Sequence, residues 1–186
     1  MSTTIVLETE RLQLTMLDEA WASELLAYQL RNREPWRVWN PLTPDEFYTV
    51  EVQRARLYDD TMLWQQGRGL RLYLLRRDAL EGPIIGELAF NNIVRGAFQS
   101  CHLGYKLDAA AQGQGYMSEA LRCAISYAFD ELLLHRIEAN VMPHNLRSRR
   151  VVERLGFSAE GLARNYLKIN GTWEDHIHYV IFNDAV

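Results

Sequence analysis

Cysteine is scarce in this chain. Cys101 and Cys123 are the only two among 186 residues, too few for a disulfide framework. The opening Met1-Ser2-Thr3-Thr4 has no basic segment leading into an apolar one, so no secretory leader is expected. No apolar run approaches the ~18–20 residues that span a bilayer. These absences predict a soluble, cytoplasmic protein with reduced thiols and no membrane partner. An excess of basic charge is also missing. The net charge is −4 and the pI is near 5.7, which excludes a general nucleic-acid footprint, so no direct nucleic-acid partner is expected. There is no Pro/Ser-rich linker, low-complexity tract or internal repeat, and one domain over 1–186 is predicted.

What is present reads as a mixed α/β chain. Arg11 to Thr15 alternates like a strand, and Asp18 is a good cap for a helix from Glu19 to Arg31. Glu34 to Pro41, with two prolines and two tryptophans, reads as an aromatic-rich loop. Thr43-Pro44-Asp45-Glu46 has the form of a capping box opening a helix that runs to Gln65. Strands follow at Leu70 to Leu75, Pro83 to Ile93 and Ala97 to Leu107, the last two as a hairpin turning at Arg95-Gly96. Then come a helix from Ser118 to Leu132, a strand from Arg136 to Val141, and a helix from Asn145 to Leu155 stopped by Gly156. Two final strands, Phe157 to Lys168 and Thr172 to Phe182, join at Asn170-Gly171, a strong hairpin signal. The order β-α-α-β-β-β-α-β-α-β-β predicts a mixed sheet with helices on its faces.

Gln112-Gly113-Gln114-Gly115-Tyr116-Met117 sits where a strand pattern gives way to a helical one. Two glycines in a turn that opens a helix leave backbone N–H groups unpaired at the positive end of the helix dipole, a seat for phosphate. No lysine follows in the P-loop position, so backbone amides would do the holding. The turn misses the dinucleotide fingerprint, because Ser118 stands where a third glycine belongs. A glycine-rich turn without a ligand is the rival reading. Asn145-x-x-Ser148 opens the second helix of this half, an Asn cap that places a first-turn hydroxyl near the mouth of the sheet; a merely polar first-turn serine is the alternative.

Taken together, Gln112-x-x-Gly115-x-Met117 and Asn145-x-x-Ser148 followed by Leu155-Gly156-Phe157 resemble the GNAT superfamily of N-acetyltransferases, in its RimJ/RimL branch and most nearly the RimJ type. That branch acetylates the N-termini of ribosomal proteins. The likeness extends to Asn92-Ile93-Val94-Arg95-Gly96, Leu103-Gly104-Tyr105, His135 to Asn140, Met142-Pro143-His144-Asn145 and Gly171 to His176. Met117 departs from the Gly or Ala usual there, and is tolerable if its side chain packs beneath the turn. The resemblance implies a mostly antiparallel sheet with helices on both faces and a V-shaped splay between two central parallel strands, here Leu103 to Leu107 and Arg136 to Val141.

It further implies acetyl-CoA as co-substrate and no metal. The cofactor side would comprise Leu103, Gly104, Tyr105, the turn from Gln112 through Gly113, Gln114, Gly115, Tyr116 and Met117 to Ser118, and Asn140 and Asn145. The acceptor side would include Trp36, Asn92, Arg95 and Asp175. The amine would attack the thioester directly, with a backbone N–H near Leu103 facing the developing oxyanion. Ser148 would protonate the departing thiolate, matching the serine that takes this part in RimL-type relatives; many superfamily members use a Tyr on this helix, and none occurs between Asn145 and Phe157. The implied partner is a protein N-terminus, that of a ribosomal protein, and the enzyme would act as a monomer or homodimer. A small-molecule amine acetyltransferase and a noncatalytic acyl-CoA-binding or ribosome-assembly protein are the alternatives.

An α-amine, with a pKa of roughly 7.7–8.0 against ~10.4 for Lys, carries a free-amine fraction several hundred times larger at neutral pH. Such an acceptor needs only a weak base. Glu87 and Glu138 are the candidates, with Glu87 slightly preferred. His176 and His178 share a strand face but lack a third ligand for a metal site. Arg147, Arg149, Arg150 and Arg154 make a basic helix face, and Cys101 reads as a small buried residue rather than an acetyl carrier.

Overall fold

A computed structural model describes residues 4–183 and residue 185. The Met1 to Thr3 stretch, on which the expectation of no leader partly rests, lies outside the described residues. The strands are β1 (Val6–Glu8), β2 (Leu12–Thr15), β3 (Leu70–Arg76), β4 (Gly86–Val94), β5 (Ser100–Leu107), β6 (Arg136–Val141), β7 (Ser158–Ile169) and β8 (Thr172–Phe182). The helices are α1 (Ala22–Arg31), the single turn α2 (Arg33–Trp36), α3 (Val50–Gln65), α4 (Tyr116–Asp130) and α5 (Leu146–Arg154). All eight strands form one sheet in the order β1-β2-β3-β4-β5-β6-β8-β7, and every neighbouring pair is antiparallel except β5 and β6.

Strand alternation divides the core between two faces. Leu72, Leu88, Leu103, Ile137 and Val141 pack with Met117, Leu121 and Ala124 of α4 and Val152 of α5. Tyr73 and Leu75 of β3 pack on the other face with Leu25 and Tyr28 of α1 and Leu57 of α3. Among the described residues, no helix is long and apolar enough to cross a membrane.

The structure departs from the sequence reading mainly in the first third of the chain. β1 was not anticipated: three residues with a mostly exposed pattern carry almost no periodic signal. The Glu34 to Pro41 segment is not a plain loop, because Pro35 lies within one helical turn and Arg37–Trp39 continues it as a 3-10 turn. The Thr43 capping box does not open the long helix. Asp45–Phe47 forms a separate 3-10 turn, Thr43 donates to the Pro41 carbonyl, and Thr49 caps α3 by accepting from the Val52 amide at 3.3 Å. From β3 onward the expected elements appear in the expected order. Asn170 and Gly171, at φ +44° and +85°, make the final hairpin turn.

Candidate active site

β5 and β6 pair only at Ser100–Arg136, Cys101–Ile137 and His102–Glu138. Beyond that point both strands continue, β5 held by β4 and β6 by β8, with no pairing between them. The sheet therefore splits, with one edge from Leu103 to Leu107 and the other from Ala139 to Val141. Each edge is an unpaired row of backbone donors and acceptors, a template for an extended amide-bearing arm. Gly104 leaves its part of the edge open: a Cβ there would meet nothing nearer than the Asn91 amide nitrogen at 3.8 Å.

The wide end of the split leads from β5 through the Ala109–Ala111 3-10 turn into the Gln112–Ser118 segment. Gly113 and Gly115 adopt φ of +79° and +82°, conformations that favour glycine. Among the described residues, none accepts a hydrogen bond from the amides of Gly113 through Ser118. A Cβ on Gly113 would meet nothing within 4 Å, so the turn is sterically open. Met117 is 6% exposed and packs into the core beneath the turn, which resolves its departure from a small residue.

The turn is braced from both sides. Arg11, after β1, donates from Nη1 to the Gln114 carbonyl at 3.0 Å and from Nε to Glu119 Oε2 at 2.7 Å, and its guanidinium lies over the Tyr116 ring. Arg147 of α5 donates to Gln112 Oε1 at 2.6 Å across the cleft mouth. The sequence reading missed Arg11, and placed Arg147 on a basic helix that could meet the CoA 3′-phosphate or ribosomal RNA, with a solvated face the commoner explanation. Nothing local links Arg11 to a turn 103 residues away.

Asn145 caps α5 by accepting from the Ser148 amide at 3.1 Å, which sets Ser148 in the first turn facing β5. Ser148 Oγ lies 2.6 Å from Tyr105 Oη, with either hydroxyl able to donate, and the Ser148 carbonyl at 3.2 Å is a second acceptor for the single Tyr105 hydrogen. Burial pushes the Tyr105 hydroxyl up to about 12, against a smaller opposing effect of the Ser148 bond. It stays protonated at neutral pH, so its one hydrogen is available to Ser148 Oγ or to the Ser148 carbonyl. Burial likewise pushes the Cys101 thiol up to about 12, so it is no nucleophile at neutral pH.

The two candidate bases differ from what sequence suggested. Glu87 is 1% exposed and lies among three cations: Arg71 at 3.1 Å, Lys106 at 3.8 Å and Arg56 at 4.0 Å. Burial disfavours its charge, yet Arg71, Lys106 and Arg56 outweigh that and hold it below the usual carboxylate range. Such a carboxylate is a weaker base than an ordinary one, so the preference for Glu87 does not survive the geometry. Glu138 sits at the closed end of the split. Its Oε2 accepts from Arg136 at 2.8 Å, while Oε1 lies 3.2 Å from His178 Nδ1 and 3.5 Å from His102 Nε2. Burial again works against ionisation, and Arg136, Asn140 and the two imidazoles more than offset it, so its pKa is lowered too.

Four acceptor-side candidates fare unevenly. Trp36 is buried, donates to the Leu107 carbonyl at 3.2 Å, and lines a cavity of about 440 Å³ with Arg56, Lys106, Tyr48 and Asn170. Asn92, at φ +52°, forms the bulge in β4 beside the pairing of Asn91 with His102. Arg95 donates to the Leu132 carbonyl beyond the far end of α4. The Asp175 carboxylate accepts from the Asn165 amide at 2.8 Å and braces the irregular register of β7. Both side chains are thus engaged with backbone. Among the described residues, no three His, Cys, Asp or Glu side chains are disposed to hold a metal ion.

A split parallel pair, an open amide-rich turn at its mouth and a hydroxyl pair inside it define an acyl-transfer scaffold. The acetyltransferase (GNAT) domain model matches residues 11–158, and the chain belongs to that family of N-acetyltransferases. It is 43% identical to the probable N-acetyltransferase YjcK of Bacillus subtilis, over 87% of this chain and 88% of that protein. It is 39% identical to the [ribosomal protein uS5]-alanine N-acetyltransferase of Escherichia coli, over 92% and 87%. The crystal structure of the ribosomal-protein-S5-alanine acetyltransferase of Vibrio fischeri superposes with a TM-score of 0.91 at 35% identity, covering 97% of each chain.

Proposed function

We infer that this enzyme transfers acetyl from acetyl-CoA to the N-terminal α-amine of a protein, a ribosomal protein in the first instance, and so works in the cytoplasm as one N-acetyltransferase domain. The observation that carries this reading is the 39% identity, over nearly the whole chain, to a uS5-alanine N-acetyltransferase. The site fits the co-substrate: six unpartnered amides at a helix N-terminus suit a pyrophosphate, and two unpaired strand edges suit the amides of a pantetheine arm. Acetyl-CoA supplies the acetyl group and a thiolate leaving group. The amides of Gly113 to Ser118 hold the phosphates, with Arg147 close by, and Gly104 leaves room for the arm along β5. Asn145 positions α5, and Ser148, backed by the Tyr105 hydroxyl, donates a proton to sulfur.

Labelled acetyl-CoA and a set of peptides with free or blocked N-termini test the reading. Label is expected on free α-amines, with peptides that begin as ribosomal proteins do among the best acceptors. Transfer to Lys in blocked peptides, or to small amines but no peptide, overturns the Nα assignment.

A further inference from the structure

The closed end of the split carries polar groups that the mechanism above leaves unused. The amide turn and the last β5–β6 pair stand at opposite ends of Leu103 to Leu107, about 17 Å apart at ~3.4 Å per residue. A donor anchored by its phosphates at the turn thus presents its acyl end near His102 and Glu138. One face of the split is filled by α4, α5 and the core, with Tyr105 and Ser148 on that side. His102, Glu138, Asn140 and His178 project from the other face, since His102 is paired with Glu138 and Asn140 with His178.

The polar accounting there is incomplete. His102 Nδ1, His178 Nε2 and Asn140 Oδ1 are buried and have no hydrogen-bond partner, three of only five such atoms among the described residues. Native interiors seldom leave such groups unpaired. No protein group holds His102 Nδ1. The ring is 41% exposed, and its Nε2 faces Glu138 Oε1 at 3.5 Å, longer than a normal hydrogen bond. The carboxylate is itself immobilised. Arg136 holds Oε2 and is in turn gripped by Glu160 of β7 at 2.7 Å. His178 of β8 shares Oε1 and stacks edge-on against Tyr166 of β7, which also contacts His176 and accepts from Asn140 at 3.3 Å.

We propose that His102 is the base of the transfer, taking the acceptor's proton at Nε2, and that Glu138, itself held by Arg136 and His178, is the positioning residue that stabilises the resulting imidazolium. The proposal rests on the acetyltransfer reading. An imidazole is the side chain suited to change charge near neutrality, whereas Glu138 beside it, with burial opposing and Arg136 prevailing, is held below the usual carboxylate range. The nitrogen enters as an ammonium and leaves as an amide, so it sheds two protons. Both pass through His102 to solvent, one before the N–C bond forms and one as it forms. The C–S bond breaks, sulfur takes one proton from Ser148, and Tyr105 and solvent replace that proton. The sum is one amide, one thiol and one released proton.

The test uses the full chain and a short peptide with a free N-terminal alanine. His102→Gln is expected to lower kcat at pH 7 by about 100-fold, the lower end of what a positioned base contributes, with CoA affinity changed less than about threefold. The deficit shrinks as pH rises toward 9, because more amine arrives already deprotonated. Glu138→Gln gives a smaller loss of the same pH form. A second readout does not use turnover: diethyl pyrocarbonate should modify His102, mapped by mass spectrometry, and peptide plus CoA should protect it. A pH-independent loss, a loss under threefold, or no protection overturns the base assignment. If wild type acetylates only some other amine, the Nα reading falls and the same measurements on that amine decide His102. If it acetylates no amine, both fall.

Discussion

The two ends of the split are built by different means. At the wide end, recognition is made of backbone: consecutive amides from Gly113 to Ser118, shaped by two positive-φ glycines, with side chains serving only as braces. At the closed end it is made of side chains from β5, β6 and β8 that meet on one face. A diphosphate is the same in every donor molecule, so a fixed array of dipoles serves it and costs little reorganisation on binding. A proton acceptor must change charge during the reaction, which amides cannot do. The difference in construction follows from the difference in task.

The sharpest break in that contrast is at Gly115. A Cβ there stands 3.4 Å from the Arg11 guanidinium, and φ of +82° is strained for any β-branched residue. Gly115→Val is expected to turn amides away from the phosphates. Losing two charge-assisted bonds at about 1.5 kcal/mol each lowers CoA affinity by about 150-fold. Calorimetric titration with CoA reads this directly, with a melting curve to show that the fold persists. Unchanged affinity would mean that the amides do not carry the binding.

The same contrast governs what sequence could reveal. The turn occupies contiguous residues, and glycines ahead of a helical pattern have a local meaning. The Asn145 cap and the Asn170-Gly171 hairpin were readable for the same reason. The His102–Glu138–His178 grouping depends on strand register, since a slip of one residue would turn each side chain to the opposite face. Tyr105 and Ser148 are 43 residues apart and meet only because α5 packs over the split. The backbone contacts of Arg95 and Asp175 were illegible for a related reason, since their partners at Leu132 and Asn165 lie 37 and 10 residues away.

Inside the split, the hydroxyl pair offers a smaller effect. Ser148→Ala is expected to lower kcat by about tenfold, below the usual range for a positioned acid because a thiol with a pKa near ~8.5 is a fair leaving group. CoA affinity should hold. Tyr105→Phe removes the hydrogen that backs Ser148, so the double variant should be little slower than Ser148→Ala alone. Additive losses would separate the two hydroxyls, and single-turnover rates at saturating substrates distinguish the cases.

The smallest expected effect tests whether the braces are separate from the seat. Glu119, in the first turn of α4, accepts from Thr9 Oγ1 at 2.6 Å and from the Arg11 amide and guanidinium, tying the β1–β2 connection to the helix. Burial opposes its charge, but the Thr9 and Arg11 bonds prevail and hold it below the usual carboxylate range. A depressed folded-state pKa adds stability above the unfolded value of ~4.3, and this is lost as pH falls through the folded value. Glu119→Gln should therefore cost about 1 kcal/mol at pH 7 in urea unfolding, with Arg11 exposure limiting the figure. The gap from wild type should close toward pH 3. If the braces only support, CoA affinity at pH 7 stays within about twofold, because a brace can lose about 1 kcal/mol of stability while the turn it supports remains formed in nearly every folded molecule.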